Sequence, residues 1–216
     1  MKTKLNLSGI TMLILLLSAC GGDKMPKSFD YGNVENNVYS NSYFGFTVDV
    51  PEQWIVQSKE QNEQLMNLGK EMIAGDDKSM KAVLNASEVN VANLLTVFKY
   101  ELGSPVDYNP SYMLIGENVM KAPGVKTGSD YFFNARRIMQ QSQTPYKHID
   151  EEYTLKNLGG KDFYVMNTEI EYMGVSIYQA YYSRIDNGFA LIMIISYTTD
   201  DEKDELENVI GSLSFQ

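Results

Sequence analysis

The sequence predicts an α/β domain of the α+β type, in which an antiparallel sheet is sandwiched between helices in an α/β/α arrangement. Three observations support this fold class. Four strand-like segments occupy the last third of the chain, and short Gly-containing turns separate them, which is typical of antiparallel hairpins. The last of these segments is apolar on both faces, so the sheet needs cover on both sides. Segments with one apolar helical face are available to supply that cover.

The strands of the last third are predicted at residues 153–158, 161–172, 175–185 and 189–198. A two-residue turn such as Met173-Gly174 selects a tight hairpin and fixes the register of the strands that it joins. The pairs predicted across this turn are Tyr172–Val175, Glu169–Tyr178 and Met166–Tyr181.

Three longer helices are predicted. Thr199 and Glu202 form a capping box, and the helix that follows has an apolar stripe of Leu206, Val209, Ile210 and Leu213. Thr127 with Asp130 predicts a second helix start. A third helix is expected from Ser58 to near Gly75, with Leu65, Leu68 and Met72 on its apolar face. Residues 43–50, 94–101 and 112–120 are predicted as strands, and residues 143–150 as a loop.

The N-terminus has the features of an export signal. Lys2 and Lys4 give it a positive start, and the apolar run of residues 10–17 that follows is too short to span a hydrocarbon core of about 30 Å. The run ends in Leu17-Ser18-Ala19-Cys20, which resembles the lipobox of bacterial lipoproteins. The resemblance implies that Cys20 is lipidated and that the signal is cleaved before it.

The predicted organisation therefore has three parts. Residues 1–19 are a lipoprotein signal peptide, residues 20–42 are a lipidated Cys20 with a flexible polar stalk, and residues 43–216 are one globular domain. Two acyl chains anchor a protein stably to a bilayer. We expect a lipid-anchored protein on the extracytoplasmic face of the cell membrane, or in the outer membrane or periplasm of a cell with two membranes.

Composition argues against several functions. The formal net charge of −10 repels phosphate backbones, so no nucleic acid is expected as a partner. The chain has one His and one Cys, which is too few for a metal site built from several such ligands. The sequence also contains neither a phosphate-binding glycine loop nor a Gly-x-Ser-x-Gly nucleophile elbow. We therefore expect no cofactor, no metal and no catalytic residues.

Two sets of residues resemble the PsbP-like domains, the superfamily shared by PsbP and the Ran-binding Mog protein. The set at the start of the domain is Tyr39, Phe44, Phe46, Pro51 and Trp54, and the set at its end is Ser212, Leu213 and Phe215. The resemblance implies an α/β/α sandwich that binds protein partners rather than catalysing a reaction.

Loop residues with aromatic or polar side chains are the candidates for a binding surface, because loops carry recognition and exposed Tyr favours interfaces. Part of this set lies in the loop before residue 112, and His148 lies in the predicted loop 143–150. The candidates are Asp107, Tyr108, Asn109, Tyr112, Tyr146 and His148.

The expected function is that of a membrane-anchored, non-catalytic module that binds or helps to assemble an envelope protein. Two alternatives stay open. One is the capture of a small molecule or sugar, which requires a pocket with converging polar groups. The other is a hydrolase that uses paired carboxylates among Glu117, Glu169 and Glu171, although Glu117 is expected at a solvated edge or rim.

Replacing the lipobox cysteine tests the anchor. We expect Cys20→Ser to remove the acyl mass from the protein and to release it from the membrane fraction, because no other sulfhydryl is available for lipidation. Intact-mass analysis and membrane fractionation measure both effects. An unmodified Cys20 in the wild-type protein, or a wild-type domain that is freely secreted, would contradict the prediction.

Overall fold

The computed structural model of the chain describes residues 25–216. The predicted signal peptide, Cys20 and the first residues of the predicted stalk lie outside the described residues. Within the described range, no helix combines the length and the apolar character that crossing a membrane requires.

Twelve strands and four α-helices are formed by the described residues. The strands are β1 (Asn33–Glu35), β2 (Val38–Asn41), β3 (Phe46–Asp49), β4 (Ile55–Val56), β5 (Val91–Phe98), β6 (Ser111–Asn118), β7 (Tyr146–Ile149), β8 (Thr154–Leu158), β9 (Lys161–Tyr172), β10 (Val175–Asp186), β11 (Phe189–Tyr197) and β12 (Ser214–Phe215). The helices are α1 (Lys59–Ala74), α2 (Lys78–Ser87), α3 (Gly128–Gln141) and α4 (Asp200–Gly211).

The strands form two antiparallel sheets. The large sheet has eight strands in the order β4-β5-β6-β11-β10-β9-β7, and β8 also pairs with β9. The long strand β9 therefore pairs with β7 along one half of its length and with β8 along the other half. The small sheet has the order β1-β2-β3-β12.

The two faces of the large sheet are covered by different layers. Helices α1, α2 and α3 pack on one face, where Leu84, Phe132 and Ile192 are among the buried residues. The small sheet and α4 pack on the other face, where Phe46, Leu191 and Ile210 are among the buried residues. The predicted α+β class with antiparallel strands is confirmed. The small sheet is an addition, because the sequence predicted helices alone as cover.

The predicted hairpin register is confirmed. Tyr172 pairs with Val175, and the same register sets Glu169 opposite Tyr178 and Met166 opposite Tyr181. Met173 and Gly174 have φ values of 51° and 82°. Positive φ at both central positions is the requirement of a type I′ turn, which matches the twist of the strands on either side.

The predicted helix starts are confirmed, whereas the predicted apolar stripe of α1 is confirmed at Leu65 and wrong at Leu68. The capping boxes of Thr199 with Glu202 and of Thr127 with Asp130 are both present, and Ser58 caps α1. The residues that α1 buries include Leu65, Gly69 and Ile73, whereas Leu68 is exposed. The residues of α1 that pack on the sheet are therefore spaced four apart along the helix, and Leu68 lies outside that row.

Two segments predicted without regular structure are strands. Residues 33–41, which we assigned to the stalk, form the β1–β2 hairpin, and Tyr39 is buried in the core of the small sheet. Its turn consists of Asn36 and Asn37, both at positive φ, which Asn tolerates better than most residues. Residues 146–149, which we assigned to a loop, form β7 on β9.

A close approach of α3 to β10 supplies a test of this packing. A Cβ at Gly128 would lie 2.1 Å from the carbonyl oxygen of Ser183, whereas a Cβ at Gly211 of α4 would meet nothing within 4 Å. We expect Gly128→Ala to lower the free energy of unfolding by about 1 to 3 kcal/mol through overpacking. Gly211→Ala is the matched control and should be neutral or stabilising by up to about 1 kcal/mol. Urea denaturation measures both, and equal stabilities of the two variants would contradict the packing.

Candidate functional site

A groove lies between α3 and the edge strand β7. It has a volume of about 410 Å³, and its lining includes Arg136, Ser142, Tyr146, Lys147 and His148. The two predicted binding residues of this region, Tyr146 and His148, both line the groove, although Tyr146 pairs with Ile170 of the α3-side core and His148 pairs with Glu169 on the other face of the sheet. The groove lies where the chain leaves α3, makes a short connection and returns as β7 along the sheet edge.

Local structure positions the two walls of the groove. The Thr127 capping box fixes the start of α3, and its buried Tyr131, Ala135 and Ile138 hold the helix against the sheet. The pairing of β7 with β9 shifts register between Tyr146 and His148, which indicates a bulge at Lys147. Bulges at sheet edges redirect side chains, and here the bulge separates the side chains of Tyr146 and His148.

The charged groups of the groove are held by ion pairs. Arg136 is paired with the exposed carboxylate of Glu151. Lys147 Nζ lies 2.8 Å from Glu169 Oε1 and 3.9 Å from Glu171 Oε2. Glu169 and Glu171 lie on the face of the sheet away from α3, so the ammonium of Lys147 is held on that face and Arg136 is the cation on the α3 side. The formal net charge of the protein is −10.

His148 is held beside an ionised carboxyl group. Its Nε2 lies 2.9 Å from Asp150 Oδ1, and 58% of its side chain is exposed. Partial burial opposes the ionisation of Asp150, but hydrogen bonds from the backbone and side chain of Asn167 and from His148 outweigh it and hold the Asp150 pKa below its usual value. The pair orients the imidazole at the rim of the groove.

A buried chain of hydrogen bonds supports Tyr146 from the protein interior. Tyr146 and Tyr181 are hydrogen-bonded through their hydroxyls, and burial raises the pKa of both. Tyr181 Oη donates to Gln179 Oε1 over 2.6 Å, and Gln179 Nε2 donates to Ser196 Oγ over 3.2 Å. Ser196 Oγ is in turn hydrogen-bonded to the hydroxyl of Tyr108.

These polar side chains follow a row across the middle of the large sheet. The strand register places Ser111, Ser196, Gln179 and Thr168 side by side on four neighbouring strands. All four residues are at most 2% exposed. They lie on the face that α1, α2 and α3 cover, so the row connects the floor of the α3–β7 groove with the loop between β5 and β6.

The structure divides the predicted binding residues into two groups. Tyr146 and His148 lie at the groove, and Asp107 is exposed in the β5–β6 loop. Tyr108, Asn109 and Tyr112 are buried, so the prediction that they form an exposed binding surface is wrong. The segment from Tyr108 to Tyr112 folds back onto the sheet, which loop composition did not indicate.

Arg136, the principal cation of the groove, was not among the residues predicted from the sequence. It lies one residue after Ala135 of the buried stripe, and Met139 and Gln140, one turn further along α3, also line the groove. The helical period of the sequence places Arg136 beside the buried stripe of a predicted helix. It does not place Arg136 near β7, because the tertiary fold decides which strand lies beside that helix.

The carboxylates of the hydrolase alternative do not face one another across a cleft. Glu117 is 1% exposed in the central strand β6 and its Oε2 accepts a hydrogen bond of 2.9 Å from Tyr131 Oη, so the expectation of a solvated edge position is wrong. Glu169 lies on the opposite face of the sheet, with two strands between β6 and β9, a separation of about 14 Å. Glu169 and Glu171 share Lys147 on one strand. Within residues 25–216, no group of three or more His, Cys, Asp or Glu side chains could hold a metal ion.

Comparisons with known proteins give weak structural similarities. No family model and no curated protein matches the sequence. The structure is similar to LpqN, described as involved in cell envelope biogenesis of Mycobacterium tuberculosis, with a TM-score of 0.42, 13% identity, and coverage of 79% of this chain and 83% of that one. For cyanobacterial PsbP from Synechocystis sp. PCC 6803 the TM-score is 0.41, with 14% identity and coverage of 93% of this chain and 99% of that one.

A third similar structure is from Bacteroides thetaiotaomicron, with a TM-score of 0.42 and 10% identity. The match covers 80% of this chain and 45% of that chain, so the chain spans less than half of that protein's length. At these scores the comparisons assign neither a family nor a function.

The buried hydrogen-bond chain can be broken at its centre. Gln179→Ala leaves the hydroxyls of Tyr181 and Ser196 without their shared partner, so we expect the free energy of unfolding to fall by about 1 to 3 kcal/mol. Gln64→Ala, at an exposed position of α1, is the control and should change stability by less than about 0.5 kcal/mol. Thermal or urea unfolding measures the difference, and two equally stable variants would rule out a stabilising role for the row.

Proposed function

We propose that this protein is a lipid-anchored extracytoplasmic lipoprotein whose domain binds a protein partner of the cell envelope without catalysing a reaction. The α3–β7 groove is the docking surface in this proposal, and its occupant is an acidic segment of the partner. The observation that carries the proposal is one open groove that Arg136 and Tyr146 line on the α3 side of the edge strand, and that Lys147 and His148 also line.

Charge complementarity favours an acidic segment. The chain as a whole is acidic, with a formal net charge of −10, so most of its surface repels another acidic protein. Arg136 is the cation on the α3 side of the groove, and its guanidinium offers five N–H donors to carboxylates. A carboxylate of the partner can compete with Glu151, whose side chain is 77% exposed and therefore free to move aside.

The support beneath the groove favours the binding of a partner. Tyr146 is hydrogen-bonded to Tyr181 in the interior, so its ring is already held in one position before a partner arrives. A preorganised wall reduces the entropy lost on association. Anchoring through Cys20 would add to this effect by confining the domain to the membrane surface where an envelope partner lies.

Charge reversal at Arg136 tests the proposal. A photo-crosslinking amino acid at Gln140, in the groove, should give a specific adduct with one envelope protein in intact membranes. We expect Arg136→Glu to reduce the adduct at least tenfold, which corresponds to about 1.4 kcal/mol of binding free energy. Peptide mapping should place the crosslink in an acidic segment of the partner.

Lys156→Glu is the matched control for this experiment. It changes the net charge by the same amount, but Lys156 pairs with Glu207 of α4, away from the groove. The adduct should persist in this variant. An adduct that is equally strong in both variants, a crosslink outside any acidic segment, or the absence of a specific adduct would overturn the proposal.

A further inference from the structure

A second groove lies beside the only tryptophan of the chain. It has a volume of about 410 Å³ and is lined by residues 51–54, by Lys99 and Tyr100 after β5, and by Glu205 of α4. Ligand pockets of proteins range from about 300 to 1,000 Å³. This groove lies near the β4 edge of the large sheet, whereas the α3–β7 groove lies near the opposite edge.

The carboxylate of Glu205 joins three segments at this groove. Its Oε1 accepts a hydrogen bond of 3.0 Å from Trp54 Nε1, and its Oε2 lies 2.5 Å from Lys99 Nζ. Partial burial opposes ionisation, but these two hydrogen bonds outweigh it and keep the Glu205 pKa below its usual value. The charges of Glu205 and Lys99 therefore offset each other and are fixed in position.

Tyr100 supplies an aromatic wall to the same groove. The residue is 41% exposed, although its backbone is held firmly. Asn109 is 1% exposed, and its Oδ1 accepts from the Tyr100 N–H over 2.9 Å while its Nδ2 donates to the Tyr100 carbonyl over 2.8 Å. A buried amide thus satisfies both backbone groups of a residue whose side chain is presented to solvent.

The hydrogen-bonding capacity that Glu205 and Lys99 retain indicates the chemical class of the ligand. A carboxylate has about four acceptor sites and an ammonium three donors, so Glu205 and Lys99 retain capacity beyond their mutual bond. The ion pair is neutral as a whole, so it offers no net charge to an ionic ligand, and a purely apolar ligand would desolvate it without replacing its hydrogen bonds to water. A ligand with one apolar face and a rim of hydroxyls satisfies both the Tyr100 ring and the polar pair.

We propose that this groove binds a neutral saccharide, with Tyr100 stacking on a sugar ring and Glu205 and Lys99 hydrogen-bonding to its hydroxyls. The site is separate from the α3–β7 groove and goes beyond the proposed protein-binding function. Asn109 acts as a positioning residue, because it sets the backbone of Tyr100 and does not reach the ligand itself.

The single tryptophan makes the test direct. Trp54 is the only indole and lines the groove, so its fluorescence reports on occupancy. The full-length lipidated protein, in a detergent without a sugar headgroup, is titrated with chitotetraose, cellotetraose and maltotetraose, and with glycerol as a control for free hydroxyls. We expect a saturable change in emission with at least one tetrasaccharide and none with glycerol.

Variants of Tyr100 test whether its aromatic ring stacks on the saccharide. We expect Tyr100→Ala to weaken the binding at least tenfold and Tyr100→Phe to retain it, because phenylalanine keeps the ring. Tyr178→Ala removes a tyrosine of similar exposure on β10 and should leave binding unchanged. Unchanged affinity in Tyr100→Ala, or no saturable signal with any of the three saccharides, would overturn the proposal. Either result leaves the crosslinking test of the α3–β7 groove unaffected.

Discussion

The fold depends on the need to cover strand β11 on both faces. Every residue of β11 is buried, and its side chains alternate between the two cores of the domain. A strand of this kind is stable only between two layers, since burial of apolar area is the main favourable term in folding. Helices α1, α2 and α3 form one layer, and the small sheet with α4 forms the other. Strand β11 lies in the middle of the large sheet, and the two grooves lie near its opposite edges.

The same sheet buries a row of polar side chains, which constrains the domain in a different way. Ser196 and Gln179 are buried between the large sheet and its helices, and hydrogen bonds to neighbouring side chains satisfy them. Buried polar groups are costly unless they are bonded, so such a row favours one arrangement of its strands over alternatives. The hydrogen-bond chain through these two residues runs from Tyr146 on one side to Tyr108 on the other. It supports Tyr146, in the lining of the α3–β7 groove, from the protein interior.

The candidate site could be predicted only in part from the residues. Tyr146 and His148 were selected from loop composition and do lie together at a groove, although β7 is a strand. Asn109 was selected from the same kind of signal, but its side chain is buried and acts on Tyr100. Composition identifies residues that can recognise a ligand. It does not distinguish a side chain that faces solvent from one that folds back to hold its neighbour.

The sequence by itself determined the fold class, the hairpin register across Met173-Gly174 and the helix starts at Thr127 and Thr199. These features depend on local chemistry: turn residues with positive φ, capping side chains and the period of apolar residues. Only the tertiary structure decided that residues 33–41 join a second sheet, that Glu117 is buried against Tyr131, and that Arg136 lies beside β7. Those outcomes depend on which elements pack together, and contacts between residues distant in the chain carry no local pattern.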